Sequence, residues 1–272
     1  MKNIGTAQDV RKQYATDDNL QRRIRVKKLF NTGKGWADFL LQHFQLQPGQ
    51  RVLELGCGNA VFWSAVAKKV PAGVKLVLSD FSTGMLDAAK NNTKKLEFIE
   101  DYAAIDAQHI PFDDNTFDVV IANYMLYHVP DVQQAIHEIA RVLKPGGICC
   151  AATFGKGNLK EVHDIFQGFD ERIDHVIDDL TEVFGLENGG LWLEKCFDCV
   201  QLKHFESGLH ITELEPLVDY FLSYLGMGNV EEIITPDKTD EFKRYIAEVF
   251  ATKGYVDITQ EEGLFIASMP RK

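Results

Sequence analysis

Acidic side chains recur at three places in the first half of the chain, Glu54, Asp80 and Asp106, each at or just after the end of a run with strand character. Carboxylates so placed accept hydrogen bonds from the paired hydroxyls of a sugar, and one beside a nucleobase accepts from an exocyclic amine. Glu54 opens the stretch Glu54-Leu55-Gly56-Cys57-Gly58-Asn59-Ala60. The two glycines reach backbone conformations closed to other residues and omit the Cβ atoms that would hold a ligand off the main chain. Singly, each acid reads as a solvated or capping group; in this order they point to one bound nucleoside. Further along, Asn123-Tyr124-Met125-Leu126-Tyr127-His128 brings together two phenols and an imidazole. With an ordinary pKa of about 6.5, His128 suits proton transfer, the alternative being a histidine that packs at a helix end. Tyr124 and Tyr127 are expected as pocket walls, because an unperturbed phenol is neutral at physiological pH.

These residues need an alternating framework to hold them. Strands are expected over 52–55, 74–78, 96–99, 117–122 and 148–153, with helices over 61–69, from Ser82 or Thr83 through Ala89, and from Val132 to Leu143. Crossovers of this kind imply a mainly parallel sheet covered on both faces. Upstream, residues 1–45 read as amphipathic helices, with Asp17 or Asp18 as a cap and Gly33 and Gly35 as breaks. After Gly157 the rhythm becomes helical, in apolar stripes through Phe166, Phe169 and Leu180 that end near Gly189-Gly190. Strand character returns over 199–205 and 209–211. A helix capped by Thr212, another over 241–252 and a last strand over 263–269 complete the reading.

Composition narrows the partners. Of 272 residues, 29 are basic and 40 acidic, a formal charge of −11 that repels phosphate backbones and makes nucleic acid an unlikely main partner. The basic run Arg22, Arg23, Arg25, Lys27 and Lys28 is a local exception. Five cysteines, two of them in an expected core strand, read as reduced thiols of a cytoplasmic protein. Cys196-Phe197-Asp198-Cys199 lacks the second ligand pair that zinc needs, so no metal is expected. No run approaches the roughly 18 apolar residues of a membrane span.

The order of these motifs resembles the class I S-adenosylmethionine-dependent methyltransferases over roughly residues 48–155. Glu54-Leu55-Gly56-Cys57-Gly58 resembles the family's first motif, and Asp80 stands at the ribose-binding acid. Asp106-Ala107-Gln108 with Ile110-Pro111-Phe112 resembles the adenine-side loop. Phe117-Asp118-Val119-Val120, Asn123 to His128, and Leu143-Lys144-Pro145-Gly146-Gly147 resemble the fourth-strand and post-helix motifs. The similarity is greatest to the small-molecule, quinone-biosynthesis branch. It implies a Rossmann-like, doubly wound, mostly parallel seven-stranded sheet with helices on both faces and a helical cap. It further implies S-adenosylmethionine as cofactor, with S-adenosylhomocysteine as its product. Gly56, Cys57, Gly58 and Asn59 would pass beside the methionine part, Phe81 and Met85 would flank the adenine, and Asn123 would face the cofactor. Ala60 replaces a glycine common in the family, which a negative φ would tolerate. Val61 stands where a dinucleotide-binding loop needs glycine, so NAD is disfavoured.

The expected organisation is a helical lid over 1–47, a cofactor-binding core over 48–157, a helical insertion over 158–192 and a completion of the sheet over 193–272. In the lid, Tyr14 and Arg23 are candidate cofactor contacts, Arg23 toward the methionine carboxylate. Phe154 and Trp192 are candidate acceptor-pocket residues, although aromatics at helical spacing are more often core. The function expected is methyl transfer to a small or medium-sized acceptor, with the protein holding donor and acceptor in line. An RNA or protein methyltransferase and a non-catalytic S-adenosylmethionine-binding module are the alternatives. Among protein assemblies, a homodimer is the expectation.

Overall fold

The computed structural model describes residues 18–33, 35–174, 178–225 and 228–271. Seven strands form one sheet in the order β3-β2-β1-β4-β5-β7-β6. They are β1 (Arg51–Leu55), β2 (Lys75–Asp80), β3 (Ile99–Ala104), β4 (Phe117–Asn123), β5 (Leu143–Phe154), β6 (Phe197–Ile211) and β7 (Val256–Pro270). β1 pairs in parallel with both β2 and β4, and β4 with β5, whereas β7 runs antiparallel between β5 and β6. Strand order reverses between β1 and β4. At such a point the loops leaving the two carboxyl ends diverge to opposite faces and open a crevice for a ligand.

The helices are α1 (Asp18–Phe30), α2 (Trp36–His43), α3 (Val61–Val66), α4 (Thr83–Thr93), α5 (Val132–Val142), α6 (Lys160–Phe169), α7 (Asp178–Phe184), α8 (Gly189–Leu193), α9 (Leu214–Leu222), α10 (Val230–Ile233) and α11 (Thr239–Ala251). Their apolar faces make two cores. One holds Leu40, Phe44, Trp63 and Ala89 against Val52, Ile121 and Cys150; the other gathers Ile136, Ile139, Phe166 and Phe221 around Leu53, Val120 and Cys149. Because both faces are covered, Val52 to Leu55 are all buried, the carboxyl of Glu54 included, so β1 shows no alternation of buried and exposed positions. The tail of α1 is tied to β6, where Thr32 donates its amide to Gly208 O at 2.9 Å.

Several boundaries differ from the sequence reading. The third strand is Ile99–Ala104, not 96–99: Leu96 closes the turn after α4 by donating to Thr93 O. β3 is an edge strand with few buried side chains, so it lacks the apolar signature that would mark it. Segments 199–205 and 209–211 are one strand, which pairs with β7 throughout. Thr212 is no cap; α9 begins after Glu213, without a side-chain cap bond. Gly189 and Gly190 start a short helix instead of ending one, and Gly189 is packed so tightly against Phe184 and Phe265 that no Cβ fits. Among the described residues no helix is long and apolar enough to cross a membrane, and all five cysteines carry free thiols.

Candidate functional site

The loop between β1 and α3 is fixed from below by β2. Cys57 donates its amide to Ser79 O at 2.8 Å, and Ser79 Oγ donates to Glu54 O at 2.7 Å. Three residues of the loop have left-handed backbone: Gly56 (φ 65°), Gly58 (φ 55°) and Ala60 (φ 53°). The two glycines differ in what surrounds them. A Cβ on Gly56 would lie 2.6 Å from Met125 Cβ, whereas one on Gly58 meets nothing within 4 Å. Gly56 thus admits the loop that follows β4, and Gly58 leaves the outer side of the turn open. Ala60 does not have the negative φ under which alanine would be free of strain. It heads α3 in the left-handed region at a cost of about 1–2 kcal/mol.

Asp80 ends β2 with its carboxylate turned back on the loop. Oδ2 accepts the Gly58 amide at 2.9 Å and Oδ1 the Ser82 amide at 2.8 Å. The carboxylate keeps lone-pair capacity for a ligand hydroxyl. Burial raises its pKa, and the amides of Ser82, Gly58 and Phe81 oppose that. Phe81 is half-buried and Met85 buried in the first turn of α4, whose cap is Ser82. Asn59 is buried; its side chain accepts from Val61 N and its carbonyl from Asn92. After β3, Asp106 is wrapped by Gln108, which donates both its backbone and side-chain N–H groups to the carboxylate at 2.9–3.2 Å. Ala107 between them is buried.

Beneath the loop Glu54 meets Asn123 and Trp63, the latter a partner that the sequence alone does not reveal. Glu54 is 3% exposed, and its carboxyl accepts Trp63 Nε1 at 2.6 Å and Asn123 Nδ2 at 3.2 Å. Burial pushes the Glu54 pKa up to about 7, against the lowering effect of both donors. Among the described residues, Asn123 Oδ1 is buried with no hydrogen-bond partner. Burial also raises the Cys57 thiol well above its ordinary range, with Glu54 and Asp80 adding to the effect, so this half-buried cysteine stays protonated. Trp63 carries no signal of its own: it falls in an ordinary helical position nine residues after Glu54.

The segment after β4 turns sharply. Tyr124 has φ 53°, rare for an aromatic residue, and its hydroxyl donates to Glu262 Oε1 at 2.8 Å. Burial, then Glu262, pushes the Tyr124 phenol well above its usual range and keeps it a neutral donor. Tyr124 and Tyr127 both lie against Phe154, with ring centroids 6.3 and 4.9 Å away. His128 ends a single turn of tighter helix, its ring 4.6 Å from that of Tyr127; burial lowers its pKa to about 4. Trp192 of α8, partly buried against the core under Lys195, makes no ring contact with Tyr124, Tyr127 or Phe154 among the described residues. Arg23 lies over the Tyr224 ring at 5.2 Å, and Tyr14 falls outside the described residues.

A glycine loop leaving β1, acids ending β2 and following β3, and the strand order 3-2-1-4-5-7-6 define the class I S-adenosylmethionine-dependent methyltransferase fold. Residues 53–151 match the family profile described as "Methyltransferase domain". Over 143 residues it is 37% identical to a demethylmenaquinone methyltransferase of Staphylococcus epidermidis, an alignment covering 52% of this chain and 59% of the relative. The chain thus spans little more than half the length of that curated relative. A solved phosphoethanolamine N-methyltransferase 2 of Haemonchus contortus, in complex with S-adenosylhomocysteine, superposes with a TM-score of 0.53 at 22% identity, covering 88% of this chain and 54% of that one. The [4+2]-cyclase SpnF superposes at 0.62 with 17% identity over 98% of both chains. These two likenesses show the fold.

Proposed function

We propose that the protein transfers a methyl group from S-adenosylmethionine to a small-molecule acceptor. The observation that carries this reading is the loop at Gly58. Its outer side is open where a Cβ would project, and its amide is held by an acid whose remaining lone pairs suit ribose hydroxyls. Asn123 Oδ1, an unpartnered acceptor beside Glu54, fits the ammonium end of the same ligand. In this reading Gly56, Cys57, Gly58 and Asn59 hold the aminoacyl part and Asp80 the ribose. Phe81, Met85, Asp106, Ala107 and Gln108 hold the adenine. The bound cofactor supplies an electrophilic methyl on sulfur, and the protein orients the acceptor toward it. Residues 1–47 would act as a lid, with Tyr14 and Arg23 on its inner side, and 158–192 as a cap over the acceptor. His128, neutral above about pH 4, is the candidate proton acceptor. A quinol-type acceptor has the support of the Staphylococcus relative's name.

The test is calorimetric titration with S-adenosylhomocysteine. Wild-type protein is expected to bind, and Asp80→Ala to bind at least tenfold more weakly because it loses the ribose contact and loosens the Gly58 amide. Folded wild-type protein that gives no binding heat with either form of the cofactor would overturn the reading. Sedimentation of the same sample tests for a homodimer.

A further inference from the structure

Lys27 and Glu262 lie outside the matched residues 53–151, yet they meet beside Tyr124 at the carboxyl end of the sheet. Glu262 is 4% exposed. In β7 it is in register with Phe154 of β5 on one side and Phe205 of β6 on the other. Lys27 Nζ of α1 and Tyr124 Oη both bond to the same oxygen, Oε1, each at 2.8 Å. Among the described residues, Oε2 accepts no hydrogen bond. In a residue only 4% exposed, that oxygen is the part of the carboxylate left to accept a donor from a ligand.

The surroundings restrict that donor. Lys27 already neutralises the carboxylate, and Arg23 on the same helix, over the ring of Tyr224 in α9, adds a second positive charge nearby. The Tyr224 hydroxyl donates to that of Tyr220, also in α9, at 2.9 Å. A further cation would meet two positive side chains, so the complement is a neutral O–H. The walls are aromatic: Trp36 is 5.7 Å from Tyr124 and 4.8 Å from Phe205, and Tyr124 stacks with Phe154. Tyr124 directly follows Asn123, whose side chain reaches Glu54 under the glycine loop, so this site adjoins the cofactor crevice.

We propose that Glu262 Oε2 is the docking point for the hydroxyl of a flat aromatic acceptor, with Tyr124 and Lys27 holding the carboxylate in place. This rests on the methyl-transfer reading and names the acceptor chemistry for it. The specificity is that of a phenol or hydroquinol. A site built to accept an O–H discriminates strongly against an analogue without one.

Calorimetry with 2-naphthol and with 2-methoxynaphthalene, both in the presence of S-adenosylhomocysteine, tests it. Wild-type protein is expected to bind 2-naphthol at least tenfold tighter than 2-methoxynaphthalene. Glu262→Gln is expected to remove most of that preference while its affinity for S-adenosylhomocysteine stays within twofold of wild type. If Glu262→Gln does not fold, Glu262→Asp, which draws the carboxylate back by one methylene, is expected to show the same loss. The proposal is overturned by an undiminished preference in the variant, by no wild-type binding of 2-naphthol, or by preferential binding of tetramethylammonium. Absence of S-adenosylhomocysteine binding is a separate result that overturns the methyl-transfer reading itself.

Discussion

Glu54 shows how a single buried carboxyl carries a pH dependence. In the folded protein it holds its proton up to about pH 7, whereas its ordinary value is 4.5. Between those values the folded state binds the additional proton, so this contribution favours folding at low pH and is lost as pH rises toward 7. Burying the ionised form then costs up to about 3 kcal/mol. Glu54→Gln keeps the shape and the bond to Trp63 without the charge. It is expected to raise stability at pH 8 by up to that amount and to change little at pH 4.5, as thermal melts at the two pH values will read. Equal differences at both would show that Glu54 does not titrate in this window. The glycines make a second contrast. Gly56→Ala forces a methyl onto Met125 at positive φ and is expected to cost about 2–4 kcal/mol in urea unfolding. Gly58→Ala carries the φ strain alone, about 1–2 kcal/mol, yet is expected to lose S-adenosylhomocysteine affinity at least tenfold. Undiminished affinity in Gly58→Ala would mean that no ligand lies along this turn.

At the scale of elements, the site is held by ends of strands and starts of helices, where backbone groups lack partners of their own. α3 starts at strained Ala60, α4 at Ser82 next to Asp80, and α5 at Asp131 just after the Tyr124–His128 segment. Asp131 Oδ1 accepts the Gln134 amide at 3.0 Å. Asp131→Ala is expected to cost about 1 kcal/mol of stability, as thermal melts will read. A melt at wild-type temperature would show that the cap contributes nothing. β4 behaves differently: the residue after it, Tyr124, has positive φ, and that strain is held by bonds to Ala152 O and Glu262. Strain maintained in this way marks a side chain whose direction matters to the site.

At the scale of the molecule, the sheet places the crevice but does not choose the reaction: a [4+2]-cyclase superposes over nearly the whole chain. Function therefore rests on particular side chains, and these divide by how far apart they are in the chain. The sequence by itself determined the parallel half of the fold, the glycine loop, and Asp80 and Asp106 at strand ends. Those features are written in local terms, as apolar runs, turn glycines and helix caps within ten residues of one another. It left β3 misplaced, because an edge strand exposed to solvent has no apolar pattern to read. It also left the φ of Ala60 undecided, since loop closure against β2 sets that angle. The partners of Glu54 and Tyr124 were decided by the tertiary structure alone. Tyr124 meets Glu262 across 138 positions and Lys27 meets it across 235, because strand order puts β7 beside β5 and lays α1 across the end of the sheet. No local pattern records such a meeting, because only the closed sheet brings the two ends of the chain to one carboxylate.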